Sequence, residues 1–143
     1  MSGVRQQILA RALERGLRIT AAESCTGGGV AQALTDLPGS SAMFEYGFVT
    51  YSNAAKTEML GVSSDSLEQF GAVSEQVARE MAKGALLRAG ADIAIAITGI
   101  AGPGGSEFKP EGRVCFALAI KTADKHAEIQ AETVEFTSIG REN

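Results

Sequence analysis

Histidine occurs once in the 143 residues, at His126, cysteine twice, at Cys25 and Cys115, and proline three times. The two cysteines make no CxxC pair and meet no histidine cluster, which argues against a structural zinc site. A chain of this length buries roughly 70% of its unfolded surface and needs no disulfide framework to hold its core. So little proline rules out a Pro/Gly-rich linker composition. No apolar run approaches the roughly 20 residues of a membrane span. The polar start, Met1-Ser2-Gly3-Val4-Arg5-Gln6-Gln7, lacks the apolar stretch of a signal peptide, so a cytoplasmic protein with reduced thiols is expected. Positive charge is also short. With 13 basic residues, scattered, against 17 acidic ones, the net charge is -4, and the sequence pI is near 5.0. That balance gives no footprint for gripping a nucleic-acid backbone, although a local phosphate pocket needs only local donors.

What is present is an ordinary globular composition, 45% apolar and 21% charged, sized for one domain over residues 1–143. The exception is glycine, 17 residues, about 12% against a usual ~7%. Eight of these fall in Gly27–Gly29 and Gly99–Gly112, each after an expected strand. The excess therefore reads as two walls of one pocket.

Apolar spacing predicts a helix over Val4–Glu14, stopped by Gly16. Leu17–Ala22 reads as a strand, then a tight turn and a helix from Val30 that ends near Leu37-Pro38-Gly39. Phe44–Tyr51 reads as a strand and Ala54–Leu60 as a short helix capped by Asn53. A second short helical piece spans Ser63–Phe70. The longest helix, Glu75–Ala89, is capped by Ser74 and closed by Gly90. Asp92–Thr98 is an apolar strand, Gly99–Gly112 a glycine-rich loop, and Arg113–Lys121 with Ala127–Phe136 a hairpin. Strands interleaved with helices, then a hairpin, predict an α/β sandwich with a mixed sheet.

Three segments carry candidate chemistry. In Glu23-Ser24-Cys25-Thr26-Gly27-Gly28-Gly29, Ser24 ends a strand and glycines open the next helix. Unpaired amides at such a start suit a phosphate or an oxyanion beside a nucleophile, and a plain strand–helix turn with a Ser/Thr cap is the other reading. Cys25 is intrinsically the better nucleophile, but nothing ties it to His126. Alternation along the strand also turns it away from Ser24, so it reads as a packed small residue. In Tyr51-Ser52-Asn53-Ala54-Ala55-Lys56, Tyr51 and Lys56 can share the crevice at the sheet end. Without histidine, lysine is the substitute base for a serine. Ordinary lysine is neutral in only about 0.04% of molecules at pH 7, and lowering its pKa by three units costs about 4 kcal/mol, which burial can supply. A solvated surface lysine is the alternative. The Tyr-to-Lys spacing is one residue longer than in short-chain dehydrogenases, and no Rossmann glycine pattern supports that reading. The third segment, Thr98-Gly99-Ile100-Ala101-Gly102-Pro103-Gly104-Gly105, follows an apolar strand and is either an anion nest or a flexible connector.

Glu23-Ser24-Cys25-Thr26-Gly27-Gly28, Tyr51-Ser52-Asn53-Ala54-Ala55-Lys56, Gly71-Ala72-Val73-Ser74 and Thr98-Gly99-Ile100-Ala101-Gly102-Pro103-Gly104-Gly105 occur in this order. Together they resemble the C-terminal domain family of the competence/damage-inducible protein CinA, over nearly the whole chain from Ile8 to Arg141. The resemblance implies a three-layer α/β/α sandwich with a mixed, mostly parallel sheet. It implies hydrolysis of nicotinamide mononucleotide to nicotinate mononucleotide and ammonia, in pyridine nucleotide salvage, with no metal and no cofactor. Ser24 matches the family's nucleophile, and Lys56 and Tyr51 the partners that activate it and shuttle protons. Thr98 and the loop with Gly99, Gly102, Gly104 and Gly105 match substrate-pocket positions, and Arg141 matches an arginine near the family's C-terminus. Amides near Thr26, Gly27 and Gly28 or near Gly102–Gly105 are expected at the oxyanion, with the 5′-phosphate on the other cluster. A final helix usually follows in the family, whereas this chain stops at Asn143. A homo-oligomer that binds neither DNA nor membrane is expected. The competing reading is a non-catalytic nucleotide-binding or regulatory module linked to competence or DNA damage.

Overall fold

A computed structural model of the protein describes residues 2–105, 109–137 and 139. In chain order they form helix α1 (Ser2–Arg15), strand β1 (Ile19–Glu23), α2 (Gly29–Thr35), a 3-10 turn (Ser40–Ala42), β2 (Phe44–Val49) and α3 (Asn53–Leu60). These are followed by α4 (Ser64–Phe70), α5 (Glu75–Ala89), β3 (Ile93–Gly99), β4 (Arg113–Lys121) and β5 (Ala127–Glu135). The strands make one sheet in the order β2-β1-β3-β4-β5. β1 runs parallel to both β2 and β3, whereas β3–β4 and β4–β5 are antiparallel. The sheet is thus mixed as expected, but evenly so rather than mostly parallel. No helix is seen among the described residues between β3 and β4, and a crossover helix is the usual means by which a next strand runs parallel. No helix among the described residues is long and apolar enough to cross a membrane.

Local chemistry sets the helix boundaries. Ser52, Ser63 and Ser74 each accept a hydrogen bond from the amide three residues on, opening α3, α4 and α5. The cap of α3 is therefore Ser52, one residue before the expected Asn53. Gly61 and Gly90 close α3 and α5 in the left-handed conformation.

Period-two alternation sorts the sheet into two faces. Ala22, Ala94, Ala96, Cys115, Ala117 and Ala119 pack against Val77, Ala78, Met81, Ala82, Ala85 and Leu86 of α5. Ile19 and Ile93 point the other way, into a smaller cluster with Leu9 and Ala12 of α1 and Leu34 of α2. The alanine-rich inner face brings α5 close to the sheet, and α3 in turn lies close on α5. At Gly84 a Cβ would overlap the carbonyl oxygen of Leu60, which is backbone and has no rotamer to move. Gly84→Ala gains ~1 kcal/mol of helix propensity but forces the two helices apart. The expected net result is a destabilisation of about 2 kcal/mol and a Tm lower by ~4–8 °C, read by thermal denaturation.

Candidate active site

The C-terminal ends of β1, β2 and β3 lie side by side, the place where open α/β sheets collect ligands. Ser24 prolongs β1, its amide donating to the carbonyl of Ile97 at 2.9 Å. Alternation puts its side chain on the face of Ala22, toward α3 and α5, and turns Glu23 and Cys25 to the α1/α2 face.

Lys56 occupies the first turns of α3 and is only 1% exposed. Its Nζ stands 2.9 Å from Ser24 Oγ, 2.9 Å from the carbonyl oxygen of Thr50 and 3.2 Å from that of Tyr51. Among the described residues no carboxylate touches it. Burial pushes the Lys56 amine below the ordinary lysine value, and the neighbouring Cys25 opposes that only in part. Nζ donates to Ser24 Oγ as well as to the two carbonyls, and Ser24 Oγ in turn stands 3.5 Å from the carbonyl oxygen of Tyr51 as a donor. The hydroxyl of Thr50 is buried and, among the described residues, has no hydrogen-bond partner.

The other expected site residues divide. Tyr51 reaches Lys56 through its main-chain carbonyl, while its side chain belongs to a residue 58% exposed and is not brought to Ser24. Thr98, buried, donates its hydroxyl to the carbonyl of Ala72 at 2.9 Å. With it the whole 70–73 turn is held: Lys109 Nζ donates to the carbonyls of Phe70 and Val73, and Ser74 Oγ to that of Gly71. This is the physical content of the Gly71-Ala72-Val73-Ser74 motif, which ties α5 to the end of β3. Gly99 is needed for packing, since a Cβ there would stand 2.9 Å from the Arg113 carbonyl oxygen and 3.0 Å from Cys25 Sγ. The loop beyond folds around Glu111, which takes the Gly104 amide at 2.5 Å and leaves no room for a side chain at Gly102. At Gly105 a Cβ would overlap the carbonyl oxygen of Lys109. Arg141 lies outside the described residues.

Glu23 has a part that its side-chain type alone did not reveal. It is 1% exposed, and its carboxylate accepts from Thr26 Oγ1 (2.6 Å) and from the amides of Gly28 (3.2 Å), Val30 (2.9 Å) and Ala31 (2.9 Å). The N-cap residue Gly28, at φ 105°, has no side chain to cap α2, and Glu23 supplies the acceptor instead. The Gly27 amide is bonded to the Ser24 carbonyl. The amides of Gly27 and Gly28, expected at an oxyanion or phosphate, are therefore already engaged. Those of Cys25 and Thr26 meet no carbonyl or carboxylate among the described residues. The sequence carries only a partial signal, a carboxylate at a strand end before a glycine turn, which does not say which amides the carboxylate takes.

Cys25 faces away from Ser24, and burial raises its thiol pKa. His126 lies in the β4–β5 turn, at the opposite end of the sheet by the β3–β4 register. Cys25 instead lines an apolar cavity of about 910 Å³ on the α1/α2 face, with Ile97, Ile100, Phe116 and Phe136. Neither Ser24 nor Lys56 reaches it.

The family model of the CinA C-terminal domain matches residues 1–143. A nicotinamide-nucleotide amidohydrolase, PncC, from Enterobacter agglomerans is 63% identical over 108 residues, covering 75% of this chain and 66% of the relative. PncC of Escherichia coli K12 is 63% identical over 106 residues, covering 73% and 64%. A putative competence-damage inducible protein of Symbiobacterium thermophilum is 62% identical over 107 residues, covering 74% of this chain and 25% of the relative. The chain thus spans less than two thirds of the length of these curated relatives. Among solved structures, the competence/damage inducible protein CihA from Agrobacterium tumefaciens superposes with a TM-score of 0.91 at 46% identity, covering 99% of this chain and 84% of that one. A CinA-superfamily protein from Escherichia coli does so with 0.90 at 42%, covering 99% and 79%. Fold, motif order and a match over all 143 residues agree, and the chain belongs to the CinA C-terminal domain family.

Proposed function

We propose that this chain hydrolyses the carboxamide of nicotinamide mononucleotide, with Ser24 as nucleophile and Lys56 as its base. The observation that carries the reading is the buried 2.9 Å contact of Lys56 Nζ with Ser24 Oγ, in a site where two carbonyls orient the amine. The amidohydrolase relatives at 63% identity supply the substrate class. Ser24 Oγ attacks the carboxamide carbon as its proton passes to Lys56 Nζ. The oxyanion forms against the amides of Cys25 and Thr26, immediately after the nucleophile, each such donor being worth roughly 3–4 kcal/mol. The C–N bond breaks as the Lys56 proton moves to the leaving nitrogen, and ammonia departs. Water then attacks the acyl-serine with Lys56 again as base, releasing nicotinate mononucleotide and restoring the Ser24 hydroxyl. Tyr51 holds the amine through its carbonyl, and no proton transfer is assigned to its exposed phenol. The 5′-phosphate is assigned to the Gly99–Gly105 side with Arg141 rather than to Gly27 and Gly28, whose amides are engaged; the Gly104 amide is held by Glu111, so the charge of Arg141 is the main attraction there. Thr98 fixes that segment's entry.

Purified protein incubated with nicotinamide mononucleotide is expected to yield ammonia and nicotinate mononucleotide in equal amounts. Binding of the nucleotide with no ammonia released would make the chain a nucleotide-binding module instead.

A further inference from the structure

We infer that Glu23 is a positioning residue for the Ser24 reaction, acting as an internal anion that selects which amides of the 24–31 segment stay available. The inference rests on the serine-amidohydrolase reading above.

The segment from Ser24 to Ala31 leaves the end of β1 and wraps around the Glu23 carboxylate. One oxygen accepts from Thr26 Oγ1 and from the amides of Gly28 and Val30, the other from the Ala31 amide. Two further bonds, Gly27 N to the Ser24 carbonyl and Gly29 N to the Thr26 carbonyl, at 3.1 and 2.9 Å, close the turn between them. Every donor from Gly27 to Ala31 is thereby taken from inside the fold. Among the described residues, the amides of this turn with no acceptor on another residue are the two directly after the nucleophile, at Cys25, whose amide faces its own thiol, and at Thr26. Four contacts to one buried carboxylate fix the peptide planes of a turn that contains three glycines and holds itself by few other bonds. Placement within about 0.5 Å is what an oxyanion donor needs.

The same carboxylate excludes a second anion. A substrate phosphate at the start of α2 would meet engaged amides and a buried negative charge. Glu23 therefore also sets the direction in which the nucleotide lies, away from α2. It touches neither Ser24 Oγ nor Lys56 Nζ, being on the opposite face of β1, so its effect passes through the main chain.

The test compares wild type with Glu23→Gln, Glu23→Ala and Thr26→Ala in ammonia release from nicotinamide mononucleotide, with thermal melting alongside. In Glu23→Gln the amide oxygen replaces the carboxylate oxygen that takes three donors, but the NH2 group faces the Ala31 N–H. It keeps the volume and the fold. The expected result is a kcat lower by about 10-fold for Glu23→Gln and by about 100-fold for Glu23→Ala, approaching the loss of one oxyanion donor. Thr26→Ala, which keeps the three amide contacts, is expected to lie between wild type and Glu23→Gln. KM should stay within threefold in the folded fraction, and the limb of the pH–rate profile set by Lys56 should stay where it is. A helix cap with no other part would lower Tm and leave the kcat of folded protein unchanged. That result, or a loss confined to KM, overturns the inference while the functional reading stands. A wild-type protein that releases no ammonia removes the functional reading, and the inference with it. If Glu23→Ala does not fold, the kcat of Glu23→Gln and Thr26→Ala decides the matter.

Discussion

Ser24→Ala is expected to lower ammonia release from nicotinamide mononucleotide by at least about 10⁴-fold, with the fold intact. The change removes one oxygen at a residue 7% exposed. Its backbone contacts, the amide to Ile97 and the carbonyl to Gly27, do not depend on the side chain. Lys56 keeps the carbonyls of Thr50 and Tyr51 as acceptors, so Tm should shift by no more than ~4 °C, the effect of about one hydrogen bond. Cys25, one residue along and intrinsically more nucleophilic, gives no rescue. Alternation places its thiol on the other face, toward Ile97 and Phe116, and burial raises its pKa and so keeps it protonated. An ammonia assay on folded Ser24→Ala decides this, and activity within tenfold of wild type would assign the nucleophile elsewhere.

The opposite facing of the Ser24 and Cys25 side chains was legible in the sequence, because a strand alternates its side chains whatever surrounds it. The capping Ser74 and closing Gly90 of α5 were legible for a similar reason: their chemistry is local. The shift from Asn53 to Ser52 at α3 is one residue, the usual uncertainty of a helix end. Three things were not legible. The sheet's even mix depends on β4 pairing back onto β3, a long-range choice that a strand's own composition does not encode. Tyr51 was read by its phenol, whereas the bond seen to Lys56 comes from its carbonyl, a group every residue has. Glu23 accepts from amides up to eight residues ahead, and only the path of a glycine turn brings those amides together. The glycine excess changed meaning accordingly. Gly28 adopts φ 105° so that the chain can wrap the carboxylate, and Gly84 admits a neighbouring helix. Neither role is the open anion cradle that the clusters suggested.

Lys56→Met is expected to reduce activity by about 10³–10⁴-fold, the upper range for losing a general base, and to change the pH dependence of stability as well. Methionine fills most of the buried stem but has no lone pair to take the Ser24 proton. For wild type, kcat/KM should rise with pH through a pKa below the ordinary lysine value of 10.5, as the amine loses its proton. The sign for stability follows from the same shift. Burial makes the folded protein release the Lys56 proton at a lower pH than the unfolded chain does. Between the lowered pKa and 10.5 the unfolded chain binds more protons, so stability rises with pH across that window and the penalty is complete below it. Lys56→Met removes that slope. Near pH 7 its net effect on Tm is small, because relief from burying an amine is offset by two carbonyls, of Thr50 and Tyr51, that lose their donor at about 1–3 kcal/mol each. Paired denaturation curves from pH 6 to 10.5, spanning the window, test this directly. Equal slopes in wild type and Lys56→Met would mean that Lys56 titrates alike in both states. The neutral amine, and with it the base, would then be lost from the mechanism.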